Sequence, residues 1–400
     1  MTVIRGLPER RSIGLVDVLD RVREIIEHVK IYGDKALIEL TKKFDGVDIE
    51  KISLDREELE SISRELDERT MNAIDEIYGF LEEFYRSIKP FDHIVTVNGV
   101  RLGIVWRGID RVGIYVPGGA RGYPSTLLMA GIPARVAGVR EIYVATPPLR
   151  NGSISPAIAY IAMKMGVERV YRIGGAHAIA AMAYGTESIV KVDKIVGPGN
   201  IYVQAAKFLV QDVVAIDGIE GPTELIVVAD EYADPEKIAF DMMAQAEHGI
   251  HTFIVLLTTS SIVADRVSAI LDRDYVHRYY IDVVGSIDEA IEIVNRVAPE
   301  HLALHVRNWE RYIDRIRNVG AISIDDIPPA LIDYIGPNHI LPTEGWARSR
   351  GCLTIYDFLK PVSVLFEVEV VPRSLIEAVK ILAEYEGFVI HSKSVGVRYG

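Results

Sequence analysis

The sequence predicts an α/β protein with two Rossmann-like, doubly wound domains, a helical N-terminal segment and a small C-terminal extension. Three observations carry that expectation. From residue 112 onward, short apolar runs alternate with longer helical stretches, the texture of parallel βαβ units. Before that point, residues 15–88 place apolar side chains such as Leu19, Val22, Ile25, Ile26 and Val29 at the helical period. A chain of 400 residues that is 49% hydrophobic and 25% charged exceeds one ordinary core and is too apolar for disorder, so two or more domains are expected.

Taken in order, Gly33 is expected to end the first helix, and residues 57–66 and 70–88 continue as acidic amphipathic helices with solvated charged faces. Asn98 and Gly99, between apolar runs at 94–97 and 101–105, predict a hairpin. The first βα series predicts strands at 113–116, 141–145, 169–173, 194–196 and 224–228, with helices near 124–137, 156–165, 176–184 and 202–210. The second predicts helix 235–248, strand 252–257, helix 261–271, strand 279–284, helix 287–297 and strand 321–324. The tail ends in a helix over 374–385, closed by Gly387. The expected division is 1–20 as an N-terminal extension, 21–114 with 223–352 as the first Rossmann-like domain, 115–222 as the second, and 353–400 as a C-terminal extension.

Composition narrows the function. A formal charge of -13 without a basic patch argues against nucleic acid or an anionic membrane surface as partner. The apolar runs are too short to span a bilayer and the first residues lack the apolar core of a secretory signal, so a cytoplasmic protein is expected. Cys352 is the single cysteine, which excludes an intramolecular disulfide and a thiolate-rich metal site. Any metal must use nitrogen and oxygen ligands.

Several clusters are able to carry chemistry, each with a plainer alternative. Gly118 and Gly119, and the GPGN run at 197–200, either receive an anionic group or only permit tight βα turns; neither completes a dinucleotide fingerprint. Gln245 and His248 are spaced to share one helix face, as metal ligands or as a helix cap. Glu300 and His301 are adjacent acid/base groups at a chain reversal expected to expose them, or a surface pair. The loop from Asp333 to His339 combines an acid, an imidazole, glycine and proline, as a site or as an ordinary turn. Glu386 and His391 flank Gly387, where they also suit a C-terminal cap. In open parallel sheets ligands bind at the carboxyl ends of strands, so residues directly after strands carry the most weight.

The ordered set of motifs decides more than any one of them. VGIYVPGG at 112–119, YPS at 123–125, GGAHAIAA at 174–181, VGPGN at 196–200, GPTE at 221–224, QAEH at 245–248, APEHL at 298–302 and NHILPT at 338–343 together closely resemble the histidinol dehydrogenase family. The resemblance runs from about Val112 to Arg398.

The resemblance implies a zinc ion, two NAD molecules, and oxidation of L-histidinol through the aldehyde to L-histidine, the last steps of histidine synthesis. It implies Gln245, His248, Asp333 and His391 as zinc ligands, His301 as general base and Glu300 as the group that activates water. Thr223, His339 and Glu386 would touch substrate together with the ligands and His301, and Tyr115, His177 and Asn200 would contact the cofactor. Glu386 and His391 would come from the partner chain of an intertwined homodimer. The chain departs from the family pattern at His177, where glutamine is usual, at Thr223, where serine is usual, and at Glu220, where a small residue is usual. Its loop from Asp333 to His339 is also one residue short. A related zinc- and NAD-dependent dehydrogenase of another polar alcohol, a metallohydrolase using Glu300 as base, and a non-catalytic metal or ligand binder are the alternatives.

Overall fold

The computed structural model describes residues 3–7, 14–119, 122–271, 278–366 and 371–399. Of the expected N-terminal extension, residues 1–2 and 8–13 therefore lie outside the described residues. The chain forms two compact units, one of residues 1–88 with 109–358, the other of 89–108 with 359–400.

The first unit begins with strand β1 (Val3–Arg5), helix α1 (Leu19–Asp45), strand β2 (Ser53–Leu54) and helices α2 (Arg56–Ser63) and α3 (Glu68–Ser87). The second unit takes up the hairpin β3 (His93–Val97) and β4 (Val100–Gly108). A βα series follows in the first unit: β5 (Arg111–Tyr115), α4 (Pro124–Ala137), β6 (Glu141–Ala145), α5 (Pro156–Met165), β7 (Arg169–Tyr171), α6 (Gly175–Tyr184), β8 (Lys194–Val196), α7 (Ile201–Val210) and β9 (Ala215–Ile216). The next comprises β10 (Glu224–Ala229), α8 (Pro235–Ala246), β11 (Phe253–Thr258), α9 (Ser261–Leu271), β12 (Tyr279–Val283), α10 (Ile287–Val297), β13 (His301–His305), α11 (Glu310–Ile313), β14 (Ala321–Ile324) and α12 (Ile332–Ile335). The chain closes with β15 (Leu359–Leu365), α13 (Arg373–Tyr385) and α14 (Val389–Tyr399).

The two large sheets have the orders β2-β7-β6-β5-β8-β9 and β1-β12-β11-β10-β13-β14. Apart from the short antiparallel β2, every pairing in them is parallel. Each contains five βα-series strands in the doubly wound order 3-2-1-4-5, with its switch point between the first and fourth of them. In β10 both faces are buried: Leu225, Val227 and Ala229 join one apolar cluster while Ile226 and Val228 join another. That is why the strand reads as a continuous apolar run.

The expected domain boundaries need correction. A break between 114 and 115 would cut β5, the strand to which β6 and β8 pair on either side. Helix α1 also packs with α6 and α7 around Val22, Ile26, Leu37, Ile179 and Val203, so this early segment covers the sheet built by residues 111–216. Residues 3–5 are no loose extension, because β1 adds an edge strand beside β12. Gly33 does break the first helix: its φ of 53° and ψ of -132° lie outside helical geometry, and the helix resumes after it.

In the second unit β15, β4 and β3 form an antiparallel sheet, so the hairpin belongs with the tail and not with a Rossmann-like domain. Asn98 and Gly99 turn it with φ of 48° and 84°, the left-handed pair that such a two-residue loop requires. Helices α13 and α14 pack on each other around Gly387. Among the described residues no helix is long and apolar enough to cross a membrane.

Candidate active site

The first unit gathers the predicted polar residues at the amino ends of β10 and β13, the pair flanking one switch point. Thr223 immediately precedes β10, Glu300 immediately precedes β13, and His301 is the first residue of that strand. Glu300 and His301 are 7% and 2% exposed, so the expected surface reversal is instead a buried strand start. Their position is fixed by a reciprocal clamp. The Glu224 N–H donates to the Glu300 carboxylate at 2.8 Å and the Glu300 N–H donates to the Glu224 carboxylate at 3.2 Å.

A hydrogen-bonded chain runs outward from the clamp. The Thr223 hydroxyl donates to the same Glu300 oxygen and accepts from the Gln245 side-chain amide at 2.7 Å. This orients the buried Gln245 amide so that its carbonyl oxygen, which accepts nothing among the described residues, is left for another partner. Helix α8 ends at Ala246, so His248 sits in the turn after it and is exposed. It lies close enough for its charge to act on His301, Asp333 and His339.

Asp333 is on the short helix α12, not in an open loop, and its Oδ1 lies 3.9 Å from His301 Nε2. That separation is too long for a hydrogen bond. His339 approaches from the other side, its Nδ1 2.8 Å from the Asp333 carbonyl; only an Nδ1–H can make that bond, which leaves Nε2 as an acceptor. Asn338 anchors this segment by donating to the Tyr85 hydroxyl at 2.9 Å and to the Met129 carbonyl at 2.7 Å.

Burial sets the protonation states. Desolvation raises the Glu300 carboxyl well above the ordinary range, reinforced by Glu224 and Glu220 and opposed by the Thr223 and Glu224 donors. It pushes His301 down to about 3, with His248 and His339 adding repulsion, so the imidazole is neutral at pH 7. Burial also pushes His339 down to about 4 and Asp333 up to about 6. His301 Nδ1 is buried without a hydrogen-bond partner.

Among the described residues no three His, Cys, Asp or Glu side chains converge tightly enough to hold a metal by themselves. The free Gln245 carbonyl oxygen, the His248 imidazole and the Asp333 carboxylate nevertheless make a cysteine-free nitrogen and oxygen set that suits zinc once a further donor is supplied. Glu386 and His391 belong to the second unit. There Glu386 caps α13, His391 opens onto solvent from the first turn of α14, and the Phe388 ring lies 5.0 Å from its imidazole.

A cavity of about 540 Å³ lies elsewhere, at the carboxyl ends of β5 and β8, where the switch-point rule expects it. Tyr115, His177 and Asn200 all line it, together with Gly118 and Gly119. The Tyr115 hydroxyl accepts from the Gly175 N–H at 3.1 Å, and burial pushes that phenol up to about 12. Asn200 caps α7 through its carbonyl oxygen, leaving its NH₂ group for a ligand. The GPGN loop is held from behind: buried Lys207 pairs with Asp217 at 2.5 Å and donates to the Gly197 carbonyl at 3.0 Å, while the Gly197 N–H donates to Asp217 at 2.7 Å. Gly197 has a φ of 123°, and a Cβ there would sit 2.1 Å from the Tyr115 carbonyl, so no other residue fits.

The family model described as histidinol dehydrogenase matches residues 9–399. The chain belongs to the histidinol dehydrogenase family. It is 53% identical over 395 residues to the histidinol dehydrogenase of Saccharolobus solfataricus, covering 98% of this chain and 99% of that one. It is 54% identical over 394 residues to that of Sulfolobus acidocaldarius, covering 98% of each. The crystal structure of histidinol dehydrogenase from Elizabethkingia anophelis superposes with a TM-score of 0.94 at 34% identity, covering 100% of this chain and 98% of that one. An acetylating aldehyde dehydrogenase from Geobacillus thermoglucosidasius shares the fold alone, with a TM-score of 0.51 at 14% identity over 91% of this chain and 100% of its own.

The histidinol dehydrogenase family comprises NAD-dependent oxidoreductases, so a metallohydrolase and a non-catalytic binder are set aside. Glu224, Lys207 and Asp217 escape the sequence reading. Glu224 opens an apolar strand and gives no sign that its carboxylate turns back onto the neighbouring strand, while Lys207 and Asp217 sit on a helix and a loop whose meeting is purely tertiary.

Proposed function

We propose that the chain oxidises L-histidinol to L-histidine through L-histidinal, using zinc and two NAD molecules. The observation that carries this reading is a neutral, buried His301 beside a shielded Glu300, in one cluster with Gln245, His248, Asp333 and His339. Gln245, His248, Asp333 and the His391 of a partner subunit hold zinc, and Tyr115, His177 and Asn200 contact NAD. When bound, zinc orients the amino alcohol and each NAD accepts one hydride.

His301 takes the hydroxyl proton as the carbinol carbon loses its first hydride. As water adds to the aldehyde carbon, Glu300 accepts a proton from the water and His301 returns its proton to the carbonyl oxygen, which restores the neutral imidazole. His301 removes a proton again as the hydrate loses the second hydride. The Thr223 hydroxyl holds Glu300 in place, and His339, with Nε2 free, accepts from a polar substrate group.

Glu386 and His391 act in the active site of a second copy, in an intertwined homodimer. Support comes from helices α13 and α14 and the turn between them, which expose Leu382, Tyr385, Phe388 and Ile390 to solvent in the single chain. An apolar surface of that kind is what an isologous contact buries.

The test supplies histidinol, NAD and zinc to chelator-treated protein and counts NADH against histidine. Two NADH per histidine is expected. Turnover of another polar alcohol but not of histidinol would overturn the substrate assignment, and activity indifferent to chelation and zinc would overturn the metal.

A further inference from the structure

Asp45 is the last residue of α1 and lines the 540 Å³ cavity that holds Tyr115, His177 and Asn200. Its Oδ2 is buried and has no hydrogen-bond partner. A carboxylate there is hard to explain as a structural element. At the end of a helix it faces the negative pole of the macrodipole, the unfavourable end for an acid. The nearby lysines do not compensate, since Lys42 pairs with Asp48 and Lys43 lies over the Phe44 ring. Burial also raises the Asp45 carboxyl above its ordinary range, the mark of an acceptor lacking donors.

The same helix turn is built into the cavity wall. Thr41 Oγ1 lies 3.4 Å from His177 Nε2 and the Phe44 ring packs 6.2 Å from the His177 ring, so the turn bearing Asp45 is set against a proposed cofactor residue. His177 Nδ1 is likewise buried without a partner. Asp45 and His177 thus both line this cavity, and each carries a buried polar atom without a partner, an unusual cost for two neighbouring residues.

We propose that Asp45 is a cofactor-binding residue whose carboxylate accepts hydrogen bonds from the vicinal hydroxyls of a ribose of the dinucleotide. The inference rests on the reading of this cavity as the NAD site. A carboxylate suits a diol because, when ionised, it only accepts hydrogen bonds and the hydroxyls donate them. If the ribose is the adenosine one, the same charge repels a 2′-phosphate, so Asp45 also selects NAD over NADP.

The experiment measures binding of NAD and NADP by titration calorimetry to the full-length protein, to Asp45→Asn and to Leu149→Trp, which fills the cavity from another wall. Asp45→Asn is expected to weaken NAD binding by roughly ten- to a hundredfold, the worth of a charge-assisted hydrogen bond. It should melt no lower than the wild type, because the carboxylate it removes lacks a structural partner. A narrowed preference for NAD over NADP assigns the adenosine ribose; weaker NAD binding at an unchanged preference assigns the nicotinamide ribose. Undiminished NAD binding in Asp45→Asn, with binding lost in Leu149→Trp, overturns the role of Asp45 alone. Undiminished binding in both variants places the cofactor elsewhere, and both readings fall. Should Asp45→Asn fail to fold, Asp45→Ser replaces it under the same expectations.

Discussion

The Thr223 hydroxyl donates to the buried carboxylate of Glu300 while accepting from Gln245 at 2.7 Å. One hydroxyl thereby couples a proposed metal ligand to the proposed water-activating group. Thr223→Val removes both bonds at almost constant volume, and is expected to cost about 1–3 kcal/mol of stability and at least about tenfold in kcat/KM. Thr223→Ser keeps the hydroxyl and should retain most of the activity. Denaturant unfolding and steady-state kinetics decide it: equal rates for Val and Ser variants would show that the hydroxyl has no catalytic consequence.

The proposal that two chains share each active site makes a complementation experiment decisive. His301→Asn and His391→Asn should each be inactive alone. Dissociated, mixed and reassociated, they form heterodimers in which one site carries both substitutions and the other carries neither. Activity should return to roughly a quarter of wild type, as random pairing in a two-fold dimer requires. No recovery, in a mixture that demonstrably exchanges subunits, would place both histidines in a site built from one chain.

Lys207 and Asp217 are buried together beneath the GPGN loop. Lys207→Met leaves a charged carboxylate without its partner and should destabilise the protein by about 3–5 kcal/mol. Pairing it with Asp217→Asn removes the orphaned charge while keeping an acceptor for the Gly197 N–H, and should recover about half of that loss. The single variant should raise the KM for NAD more than it lowers kcat, because the displaced loop carries Asn200. A urea melt showing no recovery in the double variant would refute the role of the pair.

His177 gives a pH signature. Its imidazole is pushed down to about 3 in the folded protein, against an ordinary value near 6.5 in the unfolded chain. Between those values the unfolded chain binds the extra proton, so this residue lowers stability as pH falls from about 6.5. His177→Gln removes that contribution. The variant should gain on the wild type by up to about 1.4 kcal/mol per pH unit below 6.5, with no such trend above it. Denaturation at pH 7.5 and pH 5 measures the difference, and parallel losses in the two proteins would rule the linkage out.

Local pattern carried much of the fold. Helices such as Pro124–Ala137 and Pro156–Met165 announce themselves by proline in the first turn and glycine just past the end, and both have the expected bounds. The strand His301–His305 was harder to see, since imidazoles at both ends interrupt its apolar run, so Glu300 and His301 read as an exposed reversal. Strand β1, strand β15 and helix α14 are also absent from the local signal. The side of the chain that β5 and the 93–108 hairpin join depends on partners far away in sequence, which no periodicity encodes. The rule that ligands sit at carboxyl ends of strands points to the place where the cavity lined by Tyr115 and Asn200 lies. The Glu300 and His301 cluster lies at the opposite ends of its strands.

That opposition divides the molecule into a plastic half and a fixed half. Around the cavity, Gly118, Gly119 and Asn200 ride on βα loops, where insertions and exchanges leave the sheet intact. Glu300 and His301, the proposed proton-handling groups, stand at a strand start, with hydrogen bonds to and from Glu224 and from the Ala321 N–H gripping Glu300 itself. A loop graft cannot move them without unzipping a central ladder. Variation in the loops around the proposed cofactor cavity should therefore be tolerated more readily than variation around the proposed proton-handling pair.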